Sequence, residues 1–154
     1  MGQICVFFGH RFIPNQSLVK AGLTDVILDL IHSKGVDEFW LGGYGDLDHL
    51  AFEVLRSIKK EYPSITSSLA LAYLPTNQED YDWKKSSYDH VFCPEGIEEG
   101  PLRFAICRRN KWLAQNADFV VCYVDTKSGG AYQAVRIAKS AGKTIINLAT
   151  PERR

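Results

Sequence analysis

Apolar and polar positions alternate between two patterns in the first half of this chain. Short runs of apolar residues predict strands, and between them apolar residues recur every three or four positions, which predicts amphipathic helices. Gly35 and Pro63 stand where the helical periods stop. The predicted elements are strands at 3–8, 37–41 and 67–73 and helices at 17–33 and 47–62. Strand and helix therefore alternate through the first half.

The second half repeats this alternation. Its pattern predicts a helix at 102–116, an apolar strand at 118–124, a helix at 131–141 and a last strand at 143–148. Each parallel crossover needs a helix that covers the sheet. We therefore predict an α/β fold: a Rossmann-like three-layer sandwich, with helices on both faces of a mostly parallel sheet of about five strands, as a single domain over 1–154.

A long stretch from 74 to 101 breaks the alternation. It is rich in proline and aromatic residues, and its pattern offers one short strand candidate, at 90–93. Its seven acidic residues outnumber its two basic ones, Lys84 and Lys85. Irregular segments of this length in compact domains commonly cover a site or contact a partner. This excursion is predicted to do one of these or to be an ordinary surface segment.

Composition narrows the functional classes. The 154 residues include 18 Lys and Arg and 18 Asp and Glu, so the formal net charge is zero. This balance disfavours a protein that coats the phosphates of a long duplex, but it permits a small anionic ligand. The apolar run at 4–8 is too short for a signal peptide or a membrane span. We therefore expect a cytoplasmic protein with no membrane partner.

The four cysteines, Cys5, Cys93, Cys107 and Cys122, are widely spaced. Because Cys5 and Cys122 lie inside apolar runs, we expect buried, reduced thiols. Neither the cysteines nor the histidines have the paired spacing of zinc ligands, so we predict no metal site and no bound cofactor.

The turns after three predicted strands carry the candidate binding residues. In an open parallel sheet, ligands bind beyond the carboxyl ends of the strands, where glycine lets the backbone approach and the next helix offers unpaired N–H groups to an anion. The candidates are Gly9, His10 and Arg11 after the first strand, Gly42, Gly43, Tyr44, Gly45 and Asp46 after the second, and Asp125, Ser128, Gly129 and Gly130 before the helix at 131–141. Together they predict a crevice for a phosphate or a sugar.

Several candidates have a second interpretation. Arg11 suits a phosphate through its paired donors, and a surface ion pair is the alternative. Asp46 is predicted either to cap the helix at 47–62 or to accept ligand hydroxyls. The glycines at 129–130 either bind phosphate or simply begin a helix. In the basic segment that follows the excursion, Arg103 is the preferred ligand contact, with Asn110 two turns along the same helix face.

Gly43-Tyr44-Gly45 could begin a dinucleotide fingerprint, but Asp48 stands where the third glycine belongs. The motif also follows the second predicted strand, whereas the fingerprint follows the first. An ordinary dinucleotide-dependent dehydrogenase is therefore disfavoured.

Two glycine-rich segments, Gly42-Gly43-Tyr44-Gly45 and Ser128-Gly129-Gly130-Ala131-Tyr132-Gln133, resemble those of the SLOG superfamily. This Rossmann-like group includes the Lonely-guy phosphoribohydrolases, the DprA DNA-processing proteins and domains that sense nucleotide-derived ligands. More closely, the chain resembles small bacterial and phage SLOG proteins related to the YpsA group. The motifs that carry this closer resemblance are Phe8-Gly9-His10-Arg11, Leu71-Ala72-Tyr73-Leu74-Pro75, Pro94-Glu95-Gly96, Arg103-Phe104-Ala105-Ile106, Arg109-Asn110-Lys111-Trp112 and Gly129-Gly130-Ala131-Tyr132. The resemblance covers nearly the whole chain and implies a fold and a crevice, but no particular reaction.

Gln133 is an informative departure from that resemblance. Lonely-guy enzymes and the related nucleoside deoxyribosyltransferases carry Gly-Thr-x-x-Glu at the second glycine turn, and alignment with Gly129-Gly130 places Gln133 at the Glu. An amide hydrogen-bonds ribose hydroxyls but cannot act as a carboxylate nucleophile. The resemblance therefore implies a protein that holds an N-glycosidic ligand without cleaving it.

Three functional hypotheses follow. The first is a protein that binds a nucleotide or nucleotide-derived signal, ADP-ribose-like or cyclic, as a sensor or sequestering protein. The second is a nucleoside 5'-monophosphate N-glycosidase, or a deoxyribosyltransferase-like enzyme, that uses Asp46, Asp48 or Glu53. The third is a DprA-like interaction with single-stranded DNA, which the neutral charge disfavours. The resemblance also implies a homo-oligomer.

Overall fold

The structure, a computed structural model, describes residues 2–74, 77–97 and 99–149. Its strands are β1 (Gln3–Gly9), β2 (Val36–Leu41), β3 (Thr66–Ala70), β4 (His90–Phe92), β5 (Phe119–Tyr123) and β6 (Thr144–Asn147). Its helices are α1 (Gln16–Lys34), α2 (Asp46–Lys59), α3 (Gln78–Ser87), α4 (Ala105–Asn116) and α5 (Gly130–Ser140). A short 3-10 turn, Leu102–Phe104, leads into α4.

The strands form a six-stranded sheet in the order β4-β3-β2-β1-β5-β6, and all neighbouring pairs are parallel. The predicted α/β, Rossmann-like architecture is confirmed. The sheet has six strands instead of about five because the short candidate at 90–93 joins the edge, where β4 pairs with β3 in the register Ser68 to His90 and Ala70 to Phe92.

Alternation along the strands divides the core into two layers. In β1, Cys5 and Phe7 pack with α1 and α2 on one face, whereas Val6 and Phe8 pack with α4 and α5 on the other. Successive strand residues point to opposite faces, so a continuous apolar run is what a sheet covered on both sides requires. Cys5 and Cys122 are buried as predicted, and burial raises the pKa of both thiols, that of Cys122 to about 12.

The excursion contains helix α3, which the apolar pattern does not predict. None of its residues is buried, so no apolar stripe marks it. Local polar contacts hold it instead: Asn77 Oδ1 accepts the Asp80 N–H at 3.0 Å, and Lys84 donates to Asp80 one turn away. The Trp83 ring of α3 packs on the Phe52 ring of α2, with 6.0 Å between the ring centroids. Pro75 and Glu98 of the excursion lie outside the described residues.

Across the described ranges, no helix is both long enough and apolar enough to cross a membrane. Within the same residues, no group of three or more His, Cys, Asp or Glu side chains is placed to hold a metal ion.

Candidate functional site

A crevice opens at the carboxyl ends of β1, β2 and β5. After β1 the chain turns to α1 on one face of the sheet, and after β5 it turns to α5 on the other, so the two connections diverge and leave a cavity of about 330 Å³ between them. The cavity is lined by Phe7, Phe8, Gly9, His10, Arg11, Gly42, Tyr44, Asp48, Ile106, Arg109, Asn110, Leu113, Gly129, Gly130 and Ala131.

The turn between β2 and α2 is shaped by the carboxylate of Asp48. One oxygen, Oδ2, accepts the backbone N–H of Gly42 at 2.8 Å and that of Tyr44 at 3.2 Å. Asp48 is buried, and burial raises its pKa although these donors and the nearby Arg109 charge act in the opposite direction. The residue that stands in place of a fingerprint glycine therefore braces the turn that forms one wall of the crevice.

Arg109 of α4 is a buried cation at the crevice, only 7% exposed. Its Nη1 donates to the Gly42 carbonyl at 3.0 Å, while Nε and Nη2 donate to Asn110 Oδ1 at 3.2 and 3.1 Å. A guanidinium has five N–H groups, so two of them, one on each terminal nitrogen, have no protein partner in these contacts. Burial lowers the pKa of Arg109, and the Asp48 carboxylate opposes that shift.

The Arg109 guanidinium lies directly against Gly42. A Cβ atom built at this position would lie 2.9 Å from Arg109 Cζ, which is closer than real contacts allow. A side chain here would require the guanidinium to shift. The glycine and the arginine are therefore one unit of the crevice wall.

The loop after β1 contributes a basic edge. His10 Nε2 accepts the backbone N–H of Asp125 at 3.0 Å and lies 3.2 Å from Asp125 Oδ1, which ties the loops after β1 and β5 together. Arg11 is exposed and forms no ion pair with any described residue. Its guanidinium lies 5.1 Å from the centre of the Tyr44 ring and 5.6 Å from that of Phe12. Stacking on these rings leaves the edge of the guanidinium available to an anion.

Asp46 does not cap α2 with its side chain, so the capping interpretation is wrong, and the interpretation as an acceptor of ligand hydroxyls stays a prediction. Gly45 is the N-cap, with a φ of 92°, and Asp46 is the first helical residue. Its Oδ2 accepts the Ile13 N–H at 2.8 Å and a Gln16 amide N–H at 3.0 Å. The carboxylate therefore holds the loop between β1 and α1 against α2.

The start of α5 presents backbone donors to the crevice. Gly129 has a φ of 95°, a conformation that favours glycine, and the first helical bond runs from Gln133 N–H to the Gly129 carbonyl. The N–H groups of Gly130, Ala131 and Tyr132 consequently have no intrahelical acceptor. Gly129, Gly130 and Ala131 line the crevice, and Gly129 and Gly130 are exposed, so the start of α5 lies at the crevice surface.

The structure brings together eight of the predicted site residues in the crevice lining: Gly9, His10, Arg11, Gly42, Tyr44, Asn110, Gly129 and Gly130. Gly43 lines a neighbouring cavity, Gly45, Asp125 and Ser128 lie in the surrounding turns, and Asp46 is the first residue of α2. Arg103 lies outside the lining, over the ring of Phe104 at 4.9 Å. Gln133 also lies outside it, in a groove between α4 and α5 beside Lys111 and Arg136.

Sequence reasoning favours Arg103, whereas Arg109 is the arginine that reaches the crevice. The available signal is its spacing, since Arg109 lies four residues from both Ala105 and Leu113 on the buried stripe of α4. A charged residue on a buried stripe needs a partner or a function. Asp48 carries a similar signal between Leu47 and Leu50, which are also buried.

The order and direction of the strands define a Rossmann-like α/β fold, and several solved structures share it. The structure is similar to DNA processing protein A (DprA) from Streptococcus pneumoniae, with a TM-score of 0.68 and 16% identity over 96% of this chain and 50% of that one. It is also similar to DprA from Helicobacter pylori, described for its single-stranded DNA binding mode, with a TM-score of 0.64 and 14% identity over 94% of this chain and 64% of that one.

A third similar structure is the molybdenum cofactor carrier protein of Chlamydomonas reinhardtii, with a TM-score of 0.60 and 17% identity over 99% of this chain and 80% of that one. The chain spans half to about two thirds of the length of the two DprA proteins. At these identities the likeness establishes the fold alone. No protein-family model and no curated protein sequence matches the chain.

Proposed function

We propose that the crevice binds a nucleotide or nucleotide-derived ligand, ADP-ribose-like or cyclic, and that the protein acts as a sensor or sequestering protein. The observation that carries this proposal is the convergence of three donor sets on one cavity. They are the amides at the start of α5, the guanidinium of Arg11, which forms no ion pair with a described residue, and the two N–H groups of buried Arg109 that have no partner among the described residues.

The charge arrangement favours a phosphate group. The amides at Gly130 and Ala131 lie at the positive end of the α5 dipole, and Arg109 lines the same cavity. A phosphate accepts several hydrogen bonds at once and so satisfies donors that come from different elements. The cavity of about 330 Å³ is in the lower range of small-molecule sites.

Binding without cleavage is supported by the positions and hydrogen bonds of the nearby carboxylates. Asp48 is the one acidic side chain in the described lining, and it is buried and accepts two backbone N–H groups. Asp46 is engaged by Ile13 and Gln16, and Gln133 lies outside the crevice. The alternative, an N-glycosidase, would need Asp48 to leave the turn that it braces. Chromatography of AMP incubated with the protein tests this: we expect no free adenine, and turnover that is lost in Asp48→Asn would establish the enzyme.

A DprA-like interaction with single-stranded DNA is the second candidate, and it is suggested by the two DprA structures. It predicts anisotropy changes with a labelled oligonucleotide that fall steeply with added salt. The balanced net charge and the small, enclosed set of donors favour the small ligand.

We also propose a closer relation to YpsA-like SLOG proteins, a cytoplasmic location and self-association. Exposed Phe12 and Leu102, 77% and 73% exposed, supply apolar surface for contact with a second copy. Light scattering during size-exclusion chromatography tests the self-association.

The direct test of the ligand has two arms. Mass spectrometry of small molecules released from freshly purified protein identifies a ligand that co-purifies. A melting-temperature panel with AMP, cyclic AMP, ADP-ribose and pyrophosphate detects one that does not. We expect at least one phosphate compound to be released or to raise the melting temperature. The absence of both results would refute the proposal.

A further inference from the structure

A second cavity of about 220 Å³ lies beside the crevice, beyond the carboxyl ends of β2 and β3. Its walls come from the segment after β3, from α4 and from α3 of the excursion. Gly42, Tyr44, Ile106 and Arg109 line both cavities. The two cavities are therefore neighbouring compartments that share a wall.

The shared wall contains groups that suit the middle of a ligand. Arg109 lies in both linings and keeps two N–H groups without partners among the described residues. Ile106 offers apolar surface next to it and is 39% exposed. A molecule that extends from one compartment to the other would pass both side chains.

The second compartment differs chemically from the crevice. One side is apolar, formed by Leu71, Ala72 and Tyr73, and the Tyr73 ring is 54% exposed. On the α3 side, Asp80 and Lys84 form an ion pair and place an acceptor and a donor at the edge. An exposed ring with a polar edge opposite is a suitable environment for a flat heteroaromatic group, which needs stacking and hydrogen bonds in its own plane.

We infer that this second compartment is the base subsite of the ligand whose phosphate lies at the α5 end of the crevice, with Tyr73 as the stacking surface and the Asp80–Lys84 pair along the base edge. The inference rests on the proposed function and gives it a direction: phosphate toward α5, sugar beside Arg109, base toward α3. It also gives the excursion a role, because α3 supplies the far wall of the subsite.

The test compares two probes that differ by the base, AMP and ribose 5-phosphate, by isothermal titration calorimetry. In the unmodified protein we expect AMP to bind more tightly by about fivefold or more, because stacking of one base contributes at least that much. Tyr73→Ala should weaken AMP by a similar factor and leave ribose 5-phosphate within about twofold of its original affinity. Phe104→Ala is the matched control, since Phe104 has similar exposure but lines neither cavity.

Each outcome has a defined meaning. Equal affinity of the two probes for the unmodified protein, or equal weakening of both by Tyr73→Ala, would overturn the base subsite while the phosphate crevice stands. If neither probe binds, the base subsite fails, whereas the proposed function fails only if no phosphate compound is released from the protein or raises its melting temperature. Selective loss of AMP affinity in Tyr73→Ala, with Phe104→Ala unchanged, supports the subsite.

Discussion

The charged groups at the two ends of the sheet differ in how many hydrogen-bond partners they have within the protein. At the amino end, the chain itself satisfies them: Lys59 Nζ donates to the Ile65 carbonyl at 2.7 Å and to both oxygens of Asp89 at 3.0 Å. Asp89 also accepts the Ser67 N–H at 2.8 Å, and Asp118 accepts the Ile4 N–H at 2.9 Å. This end of the sheet is locked by contacts that need no ligand.

At the carboxyl end, several hydrogen-bond donors have no acceptor among the described residues. Arg109 uses three of its five N–H groups, Arg11 forms no ion pair with a described residue, and the start of α5 lies at the crevice surface. Even the carboxyl groups differ, since burial raises the pKa of Asp48, whereas Asp89, despite partial burial, has its pKa lowered by Ser67 and Lys59. The comparison shows that the described contacts pair the charged groups Lys59, Asp89 and Asp118 at the amino end, whereas donors without such contacts collect at the carboxyl end, where we propose the ligand site.

The largest expected effect comes from Arg109→Met. It removes the bond to the Gly42 carbonyl and the positive charge that acts on buried Asp48 from beyond ion-pair distance, so we expect a loss of about 2 kcal/mol in the free energy of unfolding. AMP binding should also be lost. Urea denaturation at pH 7 measures the first effect, and Asp48→Asn combined with Arg109→Met should recover part of the stability. A loss below about 1 kcal/mol would mean that the pair is not coupled.

Lys59→Met tests the locked end. We expect a loss of about 1 kcal/mol in unfolding free energy, because both partners are partly exposed and solvent weakens the pair. AMP affinity should stay within about twofold, since the site lies at the opposite end of the sheet. Lys60→Met is the control, because Lys60 is exposed and its side chain has no partner among the described residues. A change in AMP affinity without a change in stability would contradict the comparison.

The opposite pKa shifts predict opposite pH dependences. The lowered pKa of Asp89 means that its stabilising contribution is present above the ordinary value and is lost as the pH falls through the folded pKa. The raised pKa of Asp48 means that stability is highest below the ordinary value of 3.8 and is lost as the pH rises through the folded pKa.

Unfolding free energies measured between acidic and neutral pH check both signs. In Asp89→Asn, the free energy of unfolding should fall less than in the unmodified protein as the pH is lowered. Asp48→Asn should remove the decrease in unfolding free energy that occurs as the pH rises. Its amide oxygen can still accept the backbone N–H groups of Gly42 and Tyr44. Each change is bounded by one proton, about 1.4 kcal/mol per pH unit. The same sign of change in both variants would contradict the assignment.

The smallest expected effect separates Arg11 from Arg103. Arg11→Ala should weaken AMP by about fivefold, as expected for one exposed charge-assisted contact of about 1 kcal/mol. Arg103→Ala should change AMP affinity by less than about twofold, since Arg103 lies outside the lining. Melting temperatures of both should match the unmodified protein. A larger effect of Arg103 would mean that the ligand extends beyond the crevice.

Much of the fold follows from the sequence because strands buried on both faces form continuous apolar runs, and helices on each face carry an apolar stripe. Helix α3 escapes this reasoning because it buries none of its residues and depends on a cap and an ion pair. Strand β4 is marked by only three residues at the sheet edge.

The glycine turns of the site also follow from the sequence, because their positions after strands β1 and β2 and before α5 are local features. The sequence does not predict that Arg109, and not Arg103, lines the crevice. Arg109 is held there by a hydrogen bond to the Gly42 carbonyl, and Gly42 is 67 residues away in the chain. The use of Asp46 and Asp48 to brace turns depends likewise on the folded loops.

The most direct test of the open end compares Gly130→Pro with Gly130→Ala in AMP titrations. Gly130 is the first residue of α5 and Gly129 is extended in ψ, so proline fits the helix start, yet it removes one amide donor that alanine retains. We predict that Gly130→Ala binds AMP within about twofold of the unmodified protein, and that Gly130→Pro binds it about fivefold or more weakly without a lower melting temperature. Equal AMP affinity in all three proteins would contradict the claim that the α5 amides hold the phosphate.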